Sequence, residues 1–142
     1  MDLQPSPSQL LSLVRGQPHS AGDTPPQIGE LAAAISTAIV RPLCTHAGRG
    51  PAKAKTILSD ELVVVTLAEC LTTAERQLAG AGHVELVLEI RRALHEGMRD
   101  DAAALVEELT GRKVIAYLTD QEVCPDLASL TFALASTVPD RV

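Results

Sequence analysis

Residues 53–67 read KAKTILSDELVVVTL, two runs of β-favouring residues joined by Ser59-Asp60-Glu61. The joint is short and polar, so residues 53–58 and 62–67 are predicted to fold back on each other as a hairpin. In the second run Leu62, Val63, Val64, Val65 and Leu67 place apolar groups on both faces. A strand of that kind is expected to be covered on both sides, by helices or by a second subunit.

Upstream of the hairpin, Ile28, Leu31, Ala32, Ile35 and Ile39 fall on one face of a 3.6-residue repeat and predict a helix. Pro42 leaves the Ala38 carbonyl without its helical donor, so this helix either kinks there or ends early. If it continues, Gly48 is its natural stop. Downstream, Thr72 and Glu75 stand at capping-box spacing and open a short helix. After Gly80-Ala81-Gly82 a longer helical pattern runs through Val84, Val87, Ile90, Leu94, Met98, Leu105 and Leu109 to Gly111. Run straight it would measure about 40 Å, the diameter of the whole domain, so a bend is expected near residues 97–100. An extended helix packed against a second copy is the other solution.

Two more strands follow, one over residues 113–119 and one holding Leu130, Phe132 and Leu134. The predicted order is α-β-β-α-α-β-β, an α+β fold with a small antiparallel or mixed four-stranded sheet packed with amphipathic helices. Paired strands with short joints argue against a doubly wound parallel sheet. The domain is expected over residues 28–137. Residues 1–27, with Pro5, Pro7, Pro18, Pro25 and Pro26 among Ser, Gly and Gln, read as a flexible tail, and 138–142 as a C-terminal tail.

Composition narrows the function. A chain of 142 residues that is 46% hydrophobic can bury one real core. Tyr117 and Phe132 are its only aromatic rings, which makes the core aliphatic and removes the usual stacking platforms for bases. With a formal charge of −6, nucleic acid is an unlikely partner. Cys44, Cys70 and Cys124 are odd in number and far apart, which fits reduced thiols in a cytoplasm. No signal peptide is read at the start, and no apolar stretch is expected to reach the roughly 20 residues of a membrane-spanning helix. A membrane role would therefore come through a partner, without direct insertion.

The charge is nevertheless uneven. Residues 31–59 contain no Asp or Glu, while Arg41, Arg49, Lys53 and Lys55 all fall there. Gly48, Arg49, Gly50, Lys53 and Lys55 form the candidate site: the glycines expose backbone N–H groups and the cations neutralise an anion or a partner's carboxylate. The plainer reading, a helix cap, a turn and a strand with solvated lysines, is preferred, because the segment follows a helix instead of opening one. Cys44 and His46 supply one close pair of metal ligands, too few for a zinc signature, and no metal or cofactor is predicted. Glu85, Glu89, Arg92 and Glu96 read as a solvated helix face, His95 as a surface residue, and Cys70 as a small core residue. No nucleophile elbow or dinucleotide fingerprint is present, and no catalytic residues are predicted.

Three motifs in order carry a resemblance: Gly48-Arg49-Gly50-Pro51, then Leu71-Thr72-Thr73-Ala74-Glu75-Arg76, then Leu109-Thr110-Gly111-Arg112-Lys113-Val114, with Asp120 following. In that order and spacing they resemble the bacterial MpsC family over roughly residues 28–135. The resemblance implies association with a bacterial system that generates membrane potential and moves sodium or inorganic carbon. It supplies no catalytic residues. The expected function is a non-catalytic accessory or interaction module, a cytoplasmic homodimer peripheral to the membrane through a transporter partner. The alternative is a small-anion or nucleotide sensor using residues 48–55.

Overall fold

The computed structural model describes residues 26–136, and its first element is a 22-residue helix, α1 (Pro26–Ala47). Ile28, Ile35, Ile39 and Leu43 recur along one stripe and are buried. Pro42 sits inside the helix without ending it. The helix closes at Gly48, whose φ of +87° suits glycine and whose N–H donates to the Cys44 carbonyl at 2.9 Å. It begins at Pro26, earlier than expected, where proline's fixed φ fits a first turn. The remainder of the two expected tails lies outside the described residues. Continuity through Pro42 also corrects one expectation: Gln27–Ala47 is long and apolar enough to cross a membrane by length and composition. Here its isoleucine stripe packs into the core.

The hairpin forms as β1 (Lys53–Leu58) and β2 (Leu62–Ala68). Helix α2 (Thr73–Gly80) follows with the full capping box: Glu75 N–H donates to Thr72 Oγ1, and Thr72 N–H donates to the Glu75 carboxylate. The long helical pattern divides at Met98 into α3 (Val84–Gly97) and α4 (Arg99–Thr110), a break where a bend was expected. Gly111, at φ +73°, closes α4 as read from the sequence. The last elements are β3 (Val114–Glu122) and β4 (Leu127–Leu134). The order is therefore α-β-β-α-α-α-β-β, and the fold is α+β.

All strand pairs are antiparallel, in the spatial order β1-β2-β4-β3. Alternation along the strands sends Val63, Val65 and Leu67 of β2 and Ala128, Leu130, Phe132 and Leu134 of β4 to one face, where they are buried. Helix α1, with Met98, Ala102 and Val106 of the break and α4, covers that face. Both aromatic rings belong to it: Tyr117 and Phe132 sit 5.2 Å apart, and the Tyr117 hydroxyl donates to the His95 carbonyl at 2.8 Å. Among the described residues nothing packs on the other face. Ile57, Leu62, Leu118 and Leu127 are 43%, 42%, 64% and 41% exposed. The expectation that β2 is covered on both sides thus holds for one side among the described residues.

Candidate functional site

The basic glycine loop folds inward. Arg49 donates from Nη1 to the Leu71 carbonyl at 3.0 Å, from Nη2 to the Glu69 carbonyl at 3.1 Å and from Nε to the Gly50 carbonyl at 3.2 Å. Its guanidinium thereby clamps the β2–α2 loop, whose Glu69 holds a left-handed φ of +58°. A side chain at Gly50 would stand 3.1 Å from Cys44 Sγ and 3.2 Å from Val40 Cγ1, so this glycine lets the loop lie against α1. Lys53 and Lys55 project elsewhere, exposed on β1. The five residues of the predicted site are therefore not gathered around one cavity. Arg112 plays a part like that of Arg49, donating to the Asp60 and Ala135 carbonyls and tying the hairpin turn to the end of β4.

A second polar cluster went unread in the sequence. Arg91 is fully buried and pairs with Glu75 at 3.2 Å, while its Nε and Nη2 have no hydrogen-bond partner among the described residues. His95, 1% exposed, lies one turn on and its Nε2 is likewise unpartnered. This corrects the surface placement of His95. The reason is a shift of helical phase: Val87, Arg91 and His95 form the buried stripe of α3, while Val84 is exposed and Ile90 and Leu94 are half-buried. An arginine and a histidine at i+4 and i+8 from Val87 do not look like a core face. Arg91 is buried against Glu75 of α2, while the Tyr117 hydroxyl fixes this turn of α3 through the backbone carbonyl of His95 and leaves the imidazole itself without a hydrogen-bond partner at Nε2.

Cys70 and Asp126 extend the cluster. The Asp126 carboxylate accepts from the Cys70 and Leu71 N–H groups at 3.1 and 3.0 Å, and Cys70 Sγ lies 3.6 Å from it. Burial, opposed by Arg91 and reinforced by Asp126, pushes the Cys70 thiol up to about 11. Burial, helped by Arg91, pushes His95 down to about 4 against the opposing pull of Asp120. Both shifts favour the uncharged forms of these groups, the protonated thiol and the neutral imidazole. A cleft of about 60 Å³ beside His95, Gln121 and Asp120 has room for a few waters. No three metal-ligating side chains stand together among the described residues.

What the chain displays outward is the open sheet face. Strand register sorts its side chains into rows. One row is Ile57, Val64, Thr131 and Leu118; the next holds Leu62, Ala133 and Ala116. In the other direction come Lys55, Thr66, Ser129 and Asp120, then Lys53, Ala68, Leu127 and Glu122. The face is apolar at one end. At the other, Lys53 and Lys55 lie on β1 and Glu122 and Asp120 on β3; Asp120, at the sheet edge, also borders the cleft beside His95 and accepts from the Gln121 N–H at 2.9 Å. The apolar part is of the kind that marks an interaction surface.

A protein-family model described as MpsC, Na+-translocating membrane potential-generating system, matches residues 27–136. No curated protein and no solved structure matches the chain. The motifs that carried the resemblance are the ones that hold the fold's turns: Gly48 and Gly111 close helices, Thr72 and Glu75 cap one, and Arg49 and Arg112 pin loops. With the match spanning most of its length and the whole described fold, the chain belongs to the MpsC family.

Proposed function

We propose that this chain is a non-catalytic accessory module of a membrane-potential-generating system, working by docking and not by chemistry. The observation that carries the reading is the open sheet face, whose Ile57, Leu62 and Leu118 are left to solvent by every other described element. The family name supplies the system. In this reading the module is cytoplasmic and reaches the membrane through a transporter partner.

The test is genetic and electrical. Cells lacking the gene, complemented with the wild-type chain, Leu118→Arg or Cys70→Ala, are compared with a voltage-sensitive dye. The reading expects Cys70→Ala to restore the potential and Leu118→Arg to fail although it folds. The reverse pattern would remove it.

A further inference from the structure

We infer that the open face is covered by a second copy of this chain, related by a two-fold axis that runs parallel to the strands. The inference rests on the reading of this face as the working surface and adds its occupant and geometry. Face-to-face packing of two identical sheets requires the axis to lie in the interface plane, which leaves two simple settings: along the strands or across them.

Along the strands, the operation exchanges the two halves of the sheet at constant row. Strand β1 then lies over β3 of the partner subunit, and β2 over its β4, following the order β1-β2-β4-β3. Lys55 and Asp120 occupy one row, and Lys53 and Glu122 the next. Each lysine therefore faces a carboxylate of the partner, twice over by symmetry. In the apolar row Ile57 covers Leu118 of the partner subunit, and Val64 covers its Thr131. Across the strands the outcome is worse: β1 lies over β1, so that Lys55 meets Ile57 of the partner subunit and Asp120 meets its Leu118. Charges set on apolar side chains are desolvated without partners. Only the strand-parallel setting matches charge with charge and apolar with apolar.

The face has the right size for a reversible dimer. Four strands about 4.8 Å apart and rows about 7 Å apart give roughly 400 Å² in projection per copy, or about 800–1,000 Å² over both copies. That is the lower end of specific interfaces, which fits a weak, reversible dimer.

The arrangement predicts a reciprocal charge swap, read by light scattering on the full-length chain at about 50 µM, where the lower end of specific interfaces associates. Lys55→Glu alone and Asp120→Lys alone each set like charges opposite one another twice, and each weakens self-association by roughly tenfold or more. Mixing the two variants restores dimers, because Glu at 55 then meets Lys at 120 and the remaining Lys55 meets the remaining Asp120. Both positions are exposed, and unchanged circular dichroism shows that the fold is kept. A wild-type monomer at that concentration, as when residues 1–25 or another protein cover the face, overturns the inference. So does a dimer indifferent to both variants, or a mixture that fails to recover. The two readings fail separately: a monomer whose Leu118→Arg variant still loses the membrane potential sinks the dimer and leaves the docking module intact.

Discussion

At the scale of single residues the fold depends on polar groups buried with partners. Glu75 serves twice, accepting from the Thr72 N–H at 2.8 Å and pairing with Arg91 at 3.2 Å. Glu75→Ala removes a helix cap and strands a fully buried guanidinium, a loss of about 3–5 kcal/mol in denaturant unfolding. The double variant Glu75→Gln/Arg91→Met removes both charges and recovers most of that loss; a strictly additive double variant would contradict the pairing. His95 sets a pH dependence. Its folded-state pKa of about 4 lies below its ordinary 6.5, so the unfolded chain binds more protons between those values. This contribution is therefore fully present above about pH 6.5 and is lost as pH falls toward 4, on the order of 3 kcal/mol. Chemical denaturation from pH 7 to pH 4.5 tests it: His95→Gln flattens the slope, and an unchanged slope would contradict the assignment. These residues were the hardest to read beforehand. Arg91 and His95 carry no apolar signal, and the Glu75 carboxylate that meets Arg91 comes from another helix, a contact that spacing along one helix does not reveal.

At the scale of elements most of the architecture was legible, because it rests on local chemistry. The hairpin follows from two β-rich runs and a polar joint, α2 from its capping box, and the ends of α1 and α4 from Gly48 and Gly111. What misled was helical phase. Ile90 and Leu94 flank the buried stripe of α3 without forming its centre, since an apolar margin and an apolar core look alike in one sequence. The sequence left two outcomes at Pro42, and α1 takes the continuous one, as one missing backbone bond is offset by core packing of Ile35, Ile39 and Leu43. The glycine loop was found, and its function as an anion site has a concrete competitor: Gly50 permits the loop to lie against α1 while Arg49 clamps it. Gly50→Ala forces a Cβ to 3.1 Å from Cys44 Sγ, and thermal unfolding is expected to show a loss of about 1–3 kcal/mol. A neutral or stabilising effect would contradict that contact.

At the scale of the whole molecule, helices packed on one side of an antiparallel sheet leave the other side to be covered from outside the described fold. The expectation of a doubly covered β2 and the finding of a singly covered one are the same observation at two levels. Leu62 and Val64 were read as buried because a strand rarely spends apolar residues on water, and nothing in 26–136 buries them. In the proposed dimer the charges at the far end of that face are what select the partner and its orientation. Sedimentation equilibrium of the full-length chain beside Leu118→Arg tests this account most directly, since Leu118 is 64% exposed and its replacement leaves the core untouched. The account predicts a wild-type chain that moves from its 15.0 kDa monomer toward twice that mass as concentration rises through the micromolar range, and a Leu118→Arg chain that stays monomeric. A wild-type chain that remains at 15.0 kDa throughout, or a variant that dimerises as the wild type does, would contradict it.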